Sequence, residues 1–243
     1  GLVFSNFWGS GIVVNSASDL IELNYVGTNA AGTSASPNLS DGISLWAGAT
    51  GAVVRDNLVS GNLLGAGIAV YGATGAIITG NLIGTNADAT APLGNAYEGI
   101  YLTGGASDIT IQGNTIGGNG RDGIRLDGAS NNLISGNLIG TDAGGTLDLH
   151  NGSDGIQIDN GASGNLIGGP TSESANLIAF NSGRAIVVAD FSGSSLDNSF
   201  LGNQIDGNGF GIDLDPSASS LTLIPAATAN DAGDADTGPN NLQ

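Results

Sequence analysis

Apolar residues along the chain come in very short groups with a period of two, and Gly or Asn separates the groups. The segment from Asn114 to Gly136 shows the plan, which reads NTIGGN, then GRDGIRLDGAS, then NNLISG. A period of two predicts β-strands, because successive side chains of a strand point to opposite faces. Strands this short form no stable isolated hairpins, so we expect each to pair with its equivalent in a neighbouring repeat.

The groups repeat around an Asn that opens each unit. The opening residues are Asn24, Asn57, Asn81, Asn114, Asn137, Asn176 and Asn203, separated by 33, 24, 33, 23, 39 and 27 residues. Self-similarity at such periods is typical of solenoids. Three strands per turn, stacked about 4.8 Å apart, predict an all-β fold, a right-handed parallel β-helix of about eight coils over residues 1–229. Stacked Asn side chains at an inward corner predict a ladder of amide hydrogen bonds from coil to coil.

An inserted loop follows the first strand in every second unit. Its three copies read GTNAAGTSASPN, GTNADATAPLGN and GTDAGGTLDLHN. Asn29, Asn86 and Asp142 occupy the same position after Thr, which favours a side-chain-capped turn. Their expected closing partners are Thr33, Thr90 and Thr146. A calcium site at Asp142 is the alternative, which the neutral Asn in the other two copies makes less favourable.

Charge and composition exclude several classes of function. The chain has 243 residues with four Arg, no Lys, no Cys and a formal net charge of −18. A polyanion would be repelled, so we expect no nucleic-acid partner, and acidic polysaccharides only with bridging calcium. The lack of Cys removes disulfides and thiolate chemistry. No apolar run approaches the length of a membrane span, so we expect no membrane insertion.

The strand that follows each loop carries the candidate chemistry. In segments such as DGISLW, AGIAVY, EGIYLT, DGIRLD and DGIQID the third and fifth residues are apolar and point inward, so the first, fourth and sixth lean outward. Stacking the coils predicts an aromatic and acidic face, whose ligand-binding candidates are Trp46, Tyr71, Tyr101, Glu98, Asp122 and Asp154. Aromatic rings stack on sugar rings, so this pattern favours a glycan-binding surface.

Two carboxylates of this face are candidate catalytic residues. Asp127 and Asp159 fall one strand spacing apart, close to the separation of a retaining glycosidase pair. Arg125 lies beside them and can bind substrate or hold one carboxylate ionised. The alternative interpretation is a solvated ladder of turn acids, in which Arg125 relieves repulsion and the aromatic residues are scattered surface residues.

The C-terminal segment 230–243 breaks the repeat and is rich in acids, Gly and Pro. Its candidate metal ligands are Asp231, Asp234, Asp236 and Asn240. Alternating oxygen ligands with Gly at the turn are typical of calcium loops, so calcium is the expected ion. The other interpretation is an acidic tail or linker without structure of its own.

With these motifs in view, the chain resembles the parallel β-helix repeat proteins of bacterial surfaces and secretions, within the pectin-lyase-like superfamily. The resemblance rests on GNLIGTDAGGT, GSDGIQI and GASGNLIGG, and on GIDL followed by NDAGDADTGPNNLQ, and it covers nearly the whole chain. The catalytic motifs of polygalacturonases and mannuronan epimerases have no match, and a lyase's Lys is missing. The resemblance therefore implies a non-catalytic repeat array located outside the cell or on its surface.

These observations predict an adhesin-like structural module that binds glycan on the aromatic and acidic face. The alternative is a polysaccharide hydrolase or lyase that uses Asp127 and Asp159, and the third interpretation is a spacer without a ligand. Phe4, Phe7 and Trp8 in the first turn predict either a cap on the core or docking onto further coils of a longer parent chain.

Overall fold

The computed structural model describes residues 1–189 and 195–214. Their regular structure consists of 23 strands, and these ranges contain no helix. Accordingly, no helix within them is long and apolar enough to cross a membrane. The all-β class expected from the period-two pattern is confirmed.

The strands, numbered in chain order, form three sheets. Sheet 1 contains β1 (Val3–Phe4), β4 (Tyr25–Val26), β7 (Leu58–Val59), β10 (Leu82–Ile83), β13 (Thr115–Ile116), β16 (Leu138–Ile139), β19 (Leu177–Ala179) and β22 (Gln204–Asp206). Sheet 2 contains β2 (Ile12–Val14), β5 (Ile43–Trp46), β8 (Ile68–Tyr71), β11 (Ile100–Thr103), β14 (Ile124–Asp127), β17 (Ile156–Asp159), β20 (Arg184–Val188) and β23 (Phe210–Asp213). Sheet 3 contains β3 (Leu20–Glu22), β6 (Val53–Arg55), β9 (Ile77–Thr79), β12 (Thr110–Gln112), β15 (Leu133–Ser135), β18 (Leu166–Gly168) and β21 (Ser199–Leu201).

Each coil contributes one strand to each sheet in turn, and every strand pairs in parallel with its equivalents one coil away. The register aligns identical repeat positions, as in the Ile68–Ile100 and Ile100–Ile124 pairs. This is the parallel β-helix with three short strands per coil that the repeat predicts. One continuous core runs along its interior, built from inward columns of Ile, Leu and Val that are fully buried. Burial of each such side chain contributes about 1.5–3 kcal/mol.

The predicted Asn ladder is confirmed at the corner before sheet 1. The rungs, written as Nδ2–Oδ1 distances from Asn24 through Asn203, measure 3.2, 3.0, 2.9, 3.0, 2.9 and 2.8 Å. Each inner rung also satisfies backbone groups: Asn81 Oδ1 accepts from the Asn57 N–H, and Asn81 Nδ2 donates to the Val54 carbonyl. Buried corner groups that no strand pairs are thereby satisfied.

Two further ladders were not predicted. Before sheet 2, rungs of 2.8–3.0 Å join Asn38, Asn62, Asn95, Asn119, Asn151, Asn181 and Asn208. Before sheet 3, Asn132, Asn165 and Asn198 make rungs of 2.9 and 2.8 Å. Most of these Asn residues lie in turns beside Gly or Asn, where local turn preference explains them equally well, so nothing in the sequence alone indicated that they stack.

The three inserted loops are short hairpins, and their capped turns are confirmed. The first is closed by an antiparallel bridge between Thr28 and Ala35, and Asn29 Oδ1 accepts the Thr33 N–H at 2.9 Å. In the third, Asp142 Oδ1 accepts the N–H groups of Leu147 and Thr146, each at 2.7 Å. These hydrogen bonds from Leu147 and Thr146 hold the pKa of Asp142 below its ordinary value.

The hairpins pack over the outer face of sheet 1 on the following coil. A Cβ added at Gly32 would lie 2.6 Å from Leu58 Cδ2, and one at Gly145 would lie 2.7 Å from Leu177 Cδ2. Leu58 faces away from the core and is nevertheless buried. Because each hairpin occupies the space over the next coil, that coil carries no hairpin of its own, which gives the alternation in repeat length.

Candidate functional site

The outer face of sheet 2 carries the side chains that the sequence singles out. The register pairs Trp46 with Tyr71 across β5 and β8, and Asp127 with Asp159 across β14 and β17. Alternation along each strand sends Leu126 and Ile158 into the core and their neighbours to the opposite face. The expected columns of aromatic and acidic residues are therefore confirmed in register.

Two aromatic rings form a stacked pair, here called the aromatic platform, made of Trp46 and Tyr71. Their ring centroids lie 4.9 Å apart with an interplanar angle of 29°. The Tyr71 hydroxyl donates to Asp41 Oδ2 at 3.0 Å, which fixes the Tyr71 ring. The Trp46 side chain on the other side of the stack is 48% exposed. Burial, followed by the Asp41 charge, raises the pKa of Tyr71, so the hydroxyl remains a donor. The result is a rigid aromatic surface open to solvent.

Asp127 is held as an ionised carboxylate on the same face, two coils beyond Tyr71. The Tyr101 hydroxyl donates to its Oδ2 at 2.5 Å, and Asn160 Nδ2 donates to its Oδ1 at 2.7 Å. Partial burial by itself raises the pKa of Asp127, but the hydrogen bonds from Tyr101 and Asn160, together with the Arg125 charge, outweigh it and the net pKa is lowered. Asn160 was not among the predicted site residues, and its only signal in the sequence is its position directly after Asp159 at the end of β17.

Asp159 lies in a different environment and is buried. Arg125 Nη2 donates to Asp159 Oδ2 at 2.8 Å, and Gln157 Nε2 donates to the same oxygen at 2.8 Å. Burial raises the pKa of Asp159 despite the Arg125 charge. The predicted contact between Arg125 and a carboxylate is thus present, but burial affects the pKa of Asp159 more strongly than the Arg125 charge does. Arg125 Nε and Asp159 Oδ1 are buried without hydrogen-bond partners.

The acids of the first column are buried at the corner that precedes sheet 2, so the alternative interpretation of a solvated ladder of turn acids is wrong for them. Asp122 Oδ1 accepts the Asp154 N–H at 3.0 Å, and Asp154 Oδ1 accepts the Arg184 N–H at 2.5 Å. Glu98 lies 3.9 Å from Arg125 and is buried as well. Asp122 and Asp154 each accept an N–H group of the next coil, whereas Glu98 is covered by the guanidinium groups of Arg121 and Arg125. Their part in ligand binding stays a prediction.

Burial raises the pKa of each of these three acids. The pKa of Asp154 rises to about 6, and those of Asp122 and Glu98 rise for the same reason. Glu98 also lies 3.7 Å from Arg121, whose guanidinium stacks 4.2 Å from the centre of the Tyr97 ring. The row is consequently a set of buried carboxylates with raised pKa values, lying beside Arg121 and Arg125.

The predicted calcium ligands Asp231, Asp234, Asp236 and Asn240 lie outside the described residues. Within residues 1–189 and 195–214, no group of three or more His, Asp or Glu side chains is arranged to hold a metal ion. His150 Nδ1 contacts Asp148 at 3.0 Å on the surface of the third hairpin.

The sequence matches the family model described as "Right handed beta helix region" over residues 1–160 and 41–225. The chain belongs to this right-handed β-helix family. The resemblance to parallel β-helix proteins is thereby confirmed, while the non-catalytic character stays a prediction. No curated protein sequence is significantly similar to this β-helix.

Solved structures similar to this β-helix have low sequence identity to it. The periplasmic alginate epimerase AlgG is 15% identical with a TM-score of 0.56, and the match covers 82% of this chain and 46% of AlgG. The A-module of the Azotobacter vinelandii mannuronan C-5 epimerase AlgE4 is 19% identical with a TM-score of 0.48, covering 86% and 53%. Tailspike protein 2 of bacteriophage CBA120 is 15% identical with a TM-score of 0.40, covering 81% and 39%. The chain thus spans about half the length of the epimerases that it matches.

Proposed function

We propose that this β-helix is an extracellular, adhesin-like structural module that binds a polysaccharide along the outer face of sheet 2. The observation that carries the proposal is the aromatic platform, in which Trp46 stacks on Tyr71 and remains half exposed. The β-helix of AlgG belongs to an alginate epimerase, so a fold of this kind can present a surface to a polysaccharide.

The platform suits a sugar ring because an aromatic face packs against the apolar C–H face of a pyranose. Its rigidity favours binding, since Tyr71 is already fixed by Asp41 and little side-chain entropy is lost. Two coils further along the axis, the Asp127 carboxylate and its Asn160 partner supply hydrogen-bonding groups on the same face. A chain of sugars lying along the axis would contact the platform first and these polar groups next.

The charge of the protein selects the class of polysaccharide. At a net charge of −18, an acidic polymer is repelled unless cations intervene, whereas a neutral glycan is not. We therefore propose a neutral polysaccharide, presented on a cell surface or in its surroundings. Further coils stacked on the first coil remain part of this proposal, as does a calcium ion in the segment 230–243.

The proposal is tested by screening neutral and acidic oligosaccharides on a glycan array and titrating the hits by calorimetry. Trp46→Ala is expected to weaken binding at least tenfold, which corresponds to about 1.4 kcal/mol. Trp8→Ala is the matched control, because Trp8 is 92% exposed on the first coil and lies off the platform. Equal losses in both variants, or binding that persists in Trp46→Ala, would rule out the platform as the glycan site.

A second candidate function, a polysaccharide-cleaving enzyme, is favoured by one observation. The pKa of Asp127 is lowered and that of Asp159 is raised, and two carboxylates with opposite shifts are the usual basis of an acid and a base. Assays for new reducing ends or unsaturated products on the bound glycans test it, with Asp127→Asn and Asp159→Asn expected to lose activity. Asp108→Asn, at an exposed corner, is the control. If the unmodified protein binds these glycans without cleaving them, the enzyme function is ruled out and only the glycan-binding function remains.

A further inference from the structure

A cavity of about 290 Å³ lies on the opposite side of the molecule, on the outer face of sheet 1. Its floor consists of Tyr25, Leu58 and Leu82, which occupy one outward column of β4, β7 and β10. Ala87 of the second hairpin lines it from above, and its N–H donates to the Gly32 carbonyl of the first hairpin at 2.9 Å. The two hairpin tips therefore meet beside the cavity and fix its outer edge.

The corner that borders the cavity departs from the repeat. At the position before the opening Asn, most coils have Gly with a positive φ, such as Gly80 at 65° and Gly113 at 64°. The first two corners instead carry Leu23 with φ 58° and Asp56 with φ 55°. A bulky side chain in the left-handed region is strained, and such strain concentrates at functional sites. Both residues line the cavity, and Leu23 is 57% exposed.

The polar group at this rim is a carboxylate. Asp56 makes no side-chain hydrogen bond or ion pair with any residue in the described ranges, whereas the neighbouring Arg55 is held by Glu22. A carboxylate accepts hydrogen bonds and attracts positive charge. The field of a protein with a net charge of −18 draws cations toward any open site.

We propose that this cavity binds a small amphiphilic cation, an apolar ring or short alkyl body that carries an ammonium group. The apolar body would occupy the floor of Tyr25, Leu58 and Leu82. The ammonium group would donate to Asp56, and Leu23 would close the side of the cavity away from the hairpins. This site is separate from the aromatic platform on sheet 2 and does not depend on glycan binding.

The test uses three probes of one shape and different charge: cyclohexylamine, cyclohexanol and cyclohexanecarboxylate. Each is titrated at neutral pH and low salt, while the backbone amide signals of Asp56 and Gly80 are followed by NMR. Cyclohexylammonium is expected to bind at least tenfold more tightly than the carboxylate, with cyclohexanol between them. Equal binding of the three probes, or shifts confined to other surfaces, would overturn the proposal.

Variants separate the contributions of charge and strain. Asp56→Asn keeps a residue that tolerates positive φ and is expected to bring the affinity for cyclohexylammonium down to that for cyclohexanol. Asp108→Asn, with φ 58° and an exposed side chain, is the matched control and should leave binding unchanged. An unchanged affinity in Asp56→Asn would overturn the proposed role of the carboxylate.

Leu23→Gly distinguishes a ligand-binding residue from a merely structural one. Glycine relieves the backbone strain at φ 58°, so this variant should melt at a higher temperature than the unmodified protein. It should also bind cyclohexylammonium several-fold more weakly, because one side of the cavity is lost. Higher stability with undiminished binding would exclude Leu23 from the site.

Discussion

At the scale of single residues, an inner asparagine of a ladder hydrogen-bonds backbone and side-chain groups of neighbouring coils. Asn114 accepts two hydrogen bonds from Asn81, through the backbone N–H and Nδ2 of that residue. It donates to the carbonyl groups of Ile78 and Gln112 and to Asn137 Oδ1. The amide suits this task because it carries both two donors and an acceptor, which neither Asp nor Leu supplies.

Asn114→Ala is expected to lower the free energy of unfolding by about 3 kcal/mol, because buried donors on Asn81 lose their acceptor. Asn24→Ala is the control at the open end of the same ladder, where its Oδ1 accepts only the exposed Leu2 N–H and water can replace it. Its cost should stay below about 1 kcal/mol. Chemical denaturation of both variants measures the difference, and equal costs would contradict a cooperative ladder.

At the scale of elements, the hairpins act as a second layer on sheet 1. The repeated loop sequences predicted all three hairpins and the side chains that cap their turns. Asn29, Asn86 and Asp142 each cap a local turn four or five residues long. The side chains that the hairpins cover come from neighbouring coils. Leu58 and Leu177 belong to other coils, so local sequence carried no information about this packing.

Gly32→Ala tests whether the first hairpin is packed tightly on the sheet. Its φ is 64°, and a new Cβ would lie 2.6 Å from both Leu58 Cδ2 and Ala87 Cβ. Gly51→Ala is a matched control, since its φ is 67° and the nearest atom would be Ser18 Oγ at 3.9 Å. Both variants lose about 1 kcal/mol to backbone strain. Gly32→Ala should lose a further 1–3 kcal/mol or so to overpacking, and equal losses in denaturation would contradict the packed layer.

At the scale of the whole molecule, stacking of the coils buries a row of like-charged acids, which lowers the stability of the folded state when they are ionised. The row contains Glu98, Asp122 and Asp154 on successive coils. Its charged neighbours are Arg121, Arg125, Arg184 and Asp213. Stacking places like charges about one strand spacing apart. The β-helix retains the row because Asp122 and Asp154 accept backbone N–H groups at the corner and Glu98 pairs with Arg121 and Arg125.

The free energy of unfolding should therefore be larger at pH 5 than at pH 7. A raised pKa means that the folded state binds the proton more tightly, so stability falls as the pH rises from about 4 to about 6. For Asp154 the full effect is up to about 3 kcal/mol. The lowered pKa of Asp127 acts in the opposite direction only below its ordinary range.

Asp154→Asn should remove most of this pH dependence, because the amide oxygen still accepts the Arg184 N–H without a charge. Asp108→Asn, which changes an exposed acid, should retain it. Denaturant titrations at the two pH values measure the effect. Greater stability at pH 7 would show that burial does not raise the pKa values of the acids in the row.

Calcium binding by the segment 230–243 is a separate prediction for the whole chain. Excess calcium should raise the melting temperature relative to EDTA by roughly 2–4 °C for each kcal/mol of binding free energy gained. The rise should vanish in Asp234→Ala and in Asp236→Ala. A melting temperature that is identical with calcium and with EDTA would remove calcium from the proposed function.

The sequence by itself determined the repeat, the strand period, the first Asn ladder and the register of the outer face, because these features recur at fixed spacing and each depends on local pattern. Only the tertiary structure decided which outward positions are buried. Asp122 and Asp154 are buried, Trp46 stacks on Tyr71, and Leu23 borders a cavity, since each position depends on contacts between coils 20 or more residues apart. Such contacts are set by stacking geometry, which no local stretch of the chain encodes.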